Sequence, residues 1–156
     1  MKVLCVNAGS SSLKFQLYDM PAEISIIGGY VEKIGAADSF YTIKFEGKKT
    51  EVKKEIKDHA AAVKIMLEEL VGYGAVKELD EIRGGGHRVV HGGEKYADSV
   101  VIDEEVIKDI EEFTKFAPLH HPGNIAGIRA MQKALPEAVQ VAVFDTAFHQ
   151  TIPKMQ

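Results

Sequence analysis

Residues 3–18 read VLCVNAGSSSLKFQLY, and the hydrophobic pattern of this stretch changes halfway along. Residues 3–6 form a continuous apolar run, which is typical of a buried strand. Residues 13–18 alternate apolar and polar side chains, with the period of two that marks a half-buried strand. The two halves are joined by small residues at 7–12. The stretch therefore predicts two consecutive strands with a tight turn between them, and not a strand that runs into a helix.

The turn has the composition of an anion-binding site. Gly9 can take a positive φ at no steric cost, and a tight turn beside small residues leaves backbone N–H groups and the hydroxyls of three serines free to converge on an oxyanion. Lys14 adds a positive charge. The pattern is neither a Walker loop nor a dinucleotide fingerprint, because both of those place their glycines at the start of a helix. The turn predicts a phosphate site. A serine-rich hairpin without a ligand is the alternative, because these residues are also ordinary turn formers.

Composition limits the classes of protein that are possible. The chain has 156 residues, of which 46% are hydrophobic, and a chain of this size buries about 68–70% of its unfolded surface. One cored domain over residues 1–156 is expected. The chain has 19 basic and 23 acidic residues, so it lacks the excess of positive charge that nucleic-acid binding needs, and a nucleic-acid partner is not expected. No apolar run approaches about 18 residues and no signal peptide is visible, which predicts a cytoplasmic protein without a membrane partner.

Further strands are predicted from alternation and apolar runs, followed by helices with the 3.6-residue period. Gly28-Gly29 is expected to join strands at 24–27 and 30–34, a third strand follows at 41–45, and the charged segment 47–57 is interpreted as a solvated edge strand or hairpin tip. Asp58 and Asp103 are expected to cap two helices, and a third helix is expected between Pro122 and Pro136. Residues 139–144 are predicted to form a final apolar strand. Strands followed by alternating helices and strands predict an α/β fold with a mixed sheet.

Three more motifs have the composition of functional sites. In GGGHRVVHGG at 84–93, two histidines four residues apart on a strand lie about 13 Å apart, too far to share one metal ion. Arg88 remains as the candidate, because its planar fork suits a carboxylate or a phosphate. In APLHHPGN at 117–124, His120 precedes a helix N-terminus and can donate to a phosphoryl group. The alternatives are that Arg88 is an ordinary surface arginine and that the histidines of the APLHHPGN segment are solvated loop residues without a ligand.

The last motif is VFDTAFH at 143–149, in which Asp145 follows a buried strand. The carboxyl ends of strands are where α/β sheets carry their ligand chemistry. Asp145 is therefore a candidate to orient or deprotonate a nucleophile, or to hold Mg²⁺ through water. A helix-capping aspartate is the alternative. Cys5 cannot form an intramolecular disulfide because it is the only cysteine, and it is interpreted as core filling.

Taken together, the four segments occur in the order and with the spacing found in acetate kinases, and the chain resembles this family over its whole length. The resemblance implies an actin-like, ribonuclease H-like ATPase lobe of the superfamily that contains acetate and sugar kinases, the Hsp70 heat-shock proteins and actin, with a mixed five-stranded-type sheet and flanking helices. Family members have two lobes with a cleft between them. Residues 1–156 resemble only the N-terminal lobe.

The resemblance also implies a reaction and a set of residues. The reaction is reversible phosphoryl transfer from ATP to acetate, giving ADP and acetyl phosphate, with Mg²⁺ or Mn²⁺. Acetate is ionised near neutral pH, so a carboxylate would orient or bind metal rather than remove a proton. The implied roles are metal association for Asn7, nucleotide-phosphate binding for Ser10, Ser12 and Lys14, acetate or acetyl phosphate binding for Arg88, a methyl pocket for Val90 and Leu119, phosphoryl stabilisation for His120, and an active-site carboxylate for Asp145.

The chain departs from the family at His121 and Gly123, where Asn and Pro or Ala are usual. The family's later active-site segments are absent from the sequence, so the chain is expected to be an inactive N-terminal lobe whose partner is the missing C-terminal lobe. A homodimer is expected for the full-length enzyme. Two alternatives stay open: the lobe of a propionate or butyrate kinase, and a non-catalytic module that binds an acyl phosphate.

Overall fold

The structure is a computed structural model, and it describes residues 1–89, 99–115 and 123–144. The described elements are, in chain order, β1 Lys2–Ala8, β2 Leu13–Asp19, β3 Ile24–Glu32, β4 Phe40–Phe45, β5 Lys48–Lys53, α1 His59–Gly72, β6 Ile82–Val89, β7 Val100–Val101, α2 Glu104–Lys115, α3 Gly123–Ala134 and β8 Val139–Phe144. A short 3₁₀ turn, Leu79–Glu81, precedes β6. None of the described helices is both long and apolar enough to cross a membrane.

All eight described strands form one mixed sheet, in the order β5-β4-β3-β2-β1-β6-β8-β7. The hairpin strands β1 to β5 pair antiparallel with one another, whereas β1, β6 and β8 run parallel. Five strands, β3-β2-β1-β6-β8, form the centre of the sheet, and the β4–β5 hairpin and the short β7 extend its edges. The predicted mixed α/β sheet is confirmed, and the parallel strands bring the carboxyl ends of β1, β6 and β8 to one edge.

The three described helices pack on one face of this sheet. Leu4 and Val6 of β1, with the cross-strand partners Leu17 and Phe15 of β2, lie in a core cluster with α1 residues such as Met66. A second cluster joins α2 and α3 to β6 and β8 through Val89, Ile102, Val106, Ile107, Ile110, Ile128 and Ala142. Strand residues on this face alternate with residues on the other face, so the polar positions of β1 and β2 are directed away from the helices.

The prediction of a turn at Gly28-Gly29 is wrong, because both glycines lie inside the single strand β3. Gly29 is required for space, because a Cβ there would collide with the carbonyl oxygen of Thr42 and press on the Phe15 ring. A Cβ on Gly28 would meet only the flexible end of the Gln16 side chain. The charged segment after β4 does form an edge strand, β5, whose residues are mostly exposed.

The helix boundaries follow the predicted caps. The Asp103 carboxylate accepts a hydrogen bond from the Val106 N–H at 2.8 Å, and α2 begins at the next residue, Glu104. Helix α1 ends at Gly72, and Gly74 follows with a φ of 76°. Leu70 of α1 is fully buried, whereas the next residue, Val71, is 41% exposed. The apolar face of α1 therefore ends at Leu70.

Asp58 caps α1 through a hydrogen bond from the Ala61 N–H to its carboxylate at 2.8 Å. Asp58→Ala is expected to lower the free energy of unfolding by about 1 kcal/mol, because the first turn loses its acceptor. Urea unfolding measures this change. Asp58→Asn is the matched control, since an amide oxygen also accepts the bond, and a loss as large as that of the alanine variant would contradict the capping role.

Candidate functional site

The candidate site lies on the sheet face that no helix covers in the described residues. Asn7 of β1 pairs with Lys14 of β2 on one side and with Arg88 of β6 on the other, and Arg88 in turn pairs with Val143 of β8. Residues that pair across neighbouring strands point to the same face. With strands about 4.8 Å apart, the Cα atoms of Lys14 and Arg88 lie about 10 Å apart, with the amide between them. Two cations thus flank one amide side chain.

This row of side chains lines an open groove of about 470 Å³. Asn7 and Lys14 are exposed and Arg88 is half-buried. The floor and walls are largely apolar, and they include Val3, Cys5, Tyr18, Met20 and Val143. The groove can therefore hold an anionic ligand on its basic row while a small apolar group rests on the neighbouring wall. Val143, only 3% exposed and in register with Arg88, is part of that wall, and sequence reasoning missed it.

The serine-rich turn follows β1 at the carboxyl edge of the sheet. Ser10 is exposed and Ser12 is half-buried, while the Gly9 N–H donates to the Ser12 carbonyl at 2.9 Å and closes the turn. Gly9 does not adopt the positive φ that is open to it, since the described glycines with positive φ are Gly35, Gly47 and Gly74. A Cβ at position 9 would collide with the Ser12 hydroxyl, so that hydroxyl would have to rotate to admit a larger residue.

A buried histidine supports this turn from the helix side of the sheet. His59 is the first residue of α1 and is 7% exposed. Its Nε2 lies 2.8 Å from the Gly9 carbonyl oxygen and 3.2 Å from that of Ser12. Sequence reasoning missed His59 because a histidine just inside a helix cap carries no local signal of a contact with a turn 50 residues earlier.

Cys5 lies on the groove side of β1, which corrects its interpretation as core filling. It is half-buried, and its cross-strand partner on β6 is Gly86. Burial raises the pKa of the Cys5 thiol, because desolvation penalises the thiolate. The thiol is therefore a wall of the groove and a poor nucleophile at neutral pH.

His87 borders the groove, but its side chain lies on the helix face of β6 and is directed away from the groove. It is 4% exposed, and its Nε2 and the Gln140 Oε1 lie 2.7 Å apart. Burial lowers the pKa of His87 to about 4, an effect that the hydrogen bond to Gln140 only partly opposes. The Gln140 Nε2 has no hydrogen-bond partner within the described ranges. His87 is thus a neutral core residue and a candidate for stability rather than for catalysis.

The groove offers limited ligands for a metal ion. Among the residues that the structure describes, no group of three His, Cys, Asp or Glu side chains is placed to hold a metal. Mg²⁺ is commonly held by one or two carboxylates together with substrate phosphates and water. Asn7 is exposed on the basic row. Its amide oxygen is suited to one ligand position of a Mg²⁺ ion whose other ligands are phosphate oxygens and water. Val90, Leu119, His120 and Asp145 lie outside the described residues, so their predicted roles stay predictions.

The chain is similar to acetate kinases along nearly its whole length. The model of the Acetokinase family matches residues 2–156. Acetate kinase from Geobacillus kaustophilus is 59% identical over 153 residues, and acetate kinase from Bacillus subtilis is 55% identical over the same number. Each alignment covers 98% of this chain and 39% of the relative. The chain therefore spans about two fifths of the length of these relatives.

Solved structures show the same likeness in three dimensions. Porphyromonas gingivalis acetate kinase superposes with a TM-score of 0.88 and 45% identity, over 99% of this chain and 39% of that one. A propionate kinase from Francisella tularensis superposes with a TM-score of 0.84 and 38% identity, again over 99% of this chain and 39% of the other. These matches confirm the predicted α/β fold, which is that of an actin-like ATPase lobe.

Proposed function

The chain belongs to the acetokinase family, and on that premise we propose that it forms the N-terminal lobe of an acetate kinase. The full protein would transfer a phosphoryl group reversibly between ATP and acetate, giving ADP and acetyl phosphate. The second lobe, whose residues this chain lacks, would close the other side of the groove. The isolated chain is expected to be inactive, and the full-length enzyme is expected to form a homodimer.

One observation carries the proposal: Lys14, Asn7 and Arg88 lie side by side on an open sheet face, beside a hydroxyl-rich turn at the carboxyl edge. Phosphoryl transfer needs positioning and charge neutralisation more than covalent help from the protein. Lys14 and the hydroxyls of Ser10 and Ser12 would bind the nucleotide phosphates. A Mg²⁺ ion, when bound by those phosphates with the amide of Asn7, would neutralise charge on the transferred group.

Arg88 would bind the carboxylate of acetate or the corresponding oxygens of acetyl phosphate. Its guanidinium fork matches two oxygens at once and stays charged at every working pH. The acetate methyl group would then rest against the apolar wall, to which Val143 contributes and to which we also assign Val90 and Leu119. This arrangement would direct a carboxylate oxygen toward the phosphorus atom. His120 would donate to the transferring phosphoryl group, and Asp145 would orient the site or bind the metal.

Turnover tests the proposal directly. The full gene product is expected to form ATP from ADP and acetyl phosphate when Mg²⁺ is present, as followed by a coupled hexokinase and glucose-6-phosphate dehydrogenase assay. The 156-residue chain, measured in parallel, is expected to show none. Asp145→Asn prepared in the same way serves as the control for contaminating kinase. A full gene product that binds acetyl phosphate saturably without turnover would favour the non-catalytic alternative instead.

A propionate kinase is the second candidate, favoured by the backbone match to the Francisella tularensis propionate kinase. The groove is open and has a volume of about 470 Å³, so the described residues leave room for one more methylene group. Comparing kcat/KM for acetate, propionate and butyrate decides between these acids. An acetate kinase is expected to prefer acetate, and a preference for propionate would overturn that assignment.

A further inference from the structure

We propose that His59 is a positioning residue that sets the shape of the phosphate-binding turn by donating to the carbonyl oxygens of Gly9 and Ser12. The inference rests on the proposed function, because it assigns a role to His59 in binding the nucleotide phosphates. His59 does not touch the groove, which is lined by residues of the opposite sheet face. It would therefore act on the nucleotide through the turn.

The direction of the hydrogen bonds follows from the atoms involved. Both partners of the His59 Nε2 are carbonyl oxygens, at 2.8 Å and 3.2 Å, and a carbonyl oxygen can only accept. The Nε2 therefore carries the hydrogen and is shared between the two acceptors. At 7% exposure the ring is shielded from water, so solvent is a poor substitute for this donor.

Besides the bonds from His59, two backbone N–H groups donate to carbonyl oxygens of the turn. The Ser12 carbonyl also accepts from the Gly9 N–H at 2.9 Å, and the Ser11 carbonyl accepts from the Ile34 N–H at 2.9 Å. Carbonyl oxygens carry partial negative charge and repel phosphate. Hydrogen bonds within the protein hold these carbonyl oxygens away from an approaching anion. The serine hydroxyls and the other N–H groups of the turn are then left to bind the anion. Without His59, the Gly9 carbonyl loses this donor and can rotate toward the ligand.

The same ring also contacts the start of α3. A Cβ added to Gly123, the first residue of that helix, would come within 2.6 Å of the His59 Nε2. The ring thus lies between the turn at 9–12 and the first residue of α3. One side chain therefore lies against both the turn expected to bind the nucleotide and the start of this helix. Its loss is expected to disturb nucleotide binding more than acetate binding.

The test compares three substitutions in the full gene product. His59→Leu removes the donor and keeps an apolar side chain of similar bulk, and His59→Asn keeps polarity but is too short to reach the turn. His59→Gln places an amide nitrogen near the position of the imidazole Nε2. We expect kcat/KM for ATP to fall about 10- to 100-fold in the leucine and asparagine variants, with KM for acetate changed less than about threefold. The glutamine variant is expected to recover most of the loss.

Equal losses for ATP and acetate would indicate a merely structural role and overturn the inference, as would a glutamine variant no better than asparagine. Amide hydrogen exchange of the same proteins gives a readout that does not depend on turnover. Exchange at the Gly9 N–H is expected to accelerate at least tenfold in the leucine variant and not in the glutamine variant. If the wild type lacks kinase activity, the proposed function fails, while unchanged exchange at Gly9 would overturn the role of His59 by itself.

Discussion

Arg88→Ala in the full gene product is expected to lower kcat/KM for acetyl phosphate about 10²- to 10³-fold. Arg88 lies in the basic row beside Asn7 and shares the groove wall with Val143. A bidentate pair between a guanidinium and an anion consists of two charge-assisted hydrogen bonds, and losing both costs about 3–4 kcal/mol of transition-state stabilisation. At about 1.36 kcal/mol for each factor of ten, that loss gives the expected range.

Steady-state kinetics with acetyl phosphate as the varied substrate measure the effect. Arg88→Lys keeps the charge without the fork, so its kcat/KM is expected to fall between the wild type and the alanine variant. Arg83→Ala is the matched control, because Arg83 is an exposed arginine near the opposite end of the same strand. A similar loss in both alanine variants would contradict a specific role for Arg88, and an Arg88→Ala enzyme with wild-type kinetics would exclude it.

Lowering the pH from 7 to 5 is expected to reduce the free energy of unfolding of this chain by about 2 kcal/mol through His87 alone. Burial lowers the pKa of His87 to about 4 in the folded protein, against an ordinary value of about 6.5 in the unfolded chain. Between these values the unfolded state binds a proton that the folded state does not. Neutral His87 therefore makes its full contribution to the free energy of unfolding above pH 6.5. Below pH 6.5 this contribution falls by about 1.4 kcal/mol per pH unit, and the loss is complete below pH 4.

Urea unfolding at pH 7, 6 and 5 measures this dependence. His87→Gln is the matched variant, because a glutamine on the same strand position is polar, reaches toward Gln140 and does not titrate in this range. Its unfolding free energy is expected to vary less with pH than that of the wild type, by about 2 kcal/mol over the same interval. Parallel pH profiles for the two proteins would show that His87 is not the group responsible.

The elements of the fold were predictable wherever their signals are local. Alternation over 13–18 and the caps at Asp58 and Asp103 predicted β2 and the starts of α1 and α2, because strand periods and N-caps depend on residues within a few positions of each other. The same local reasoning failed at Gly28-Gly29. There the chain continues as one strand because it pairs with β2 and β4, and the glycines alone do not indicate this pairing.

The candidate site shows the same division. The sequence supplied Lys14 and Arg88 as candidates, since each belongs to a motif whose residue types suit phosphate or carboxylate, and the resemblance to acetate kinases added Asn7. It did not predict that the Gln140 Nε2 lacks a hydrogen-bond partner among the described residues, because Gln140 lies among apolar neighbours in β8. It also assigned Cys5 to the core, because an apolar run does not indicate which face of a sheet will be covered by helices.

By itself, the sequence determined the type of each element and the chemistry of the candidate residues, because hydrophobic period, capping and side-chain functional groups are properties of short segments. Only the tertiary structure decided that Lys14, Asn7 and Arg88 form one row, and that His59 supports a turn 50 residues earlier. The strand register and the helix packing that create these contacts depend on the joint burial of segments distant in the chain.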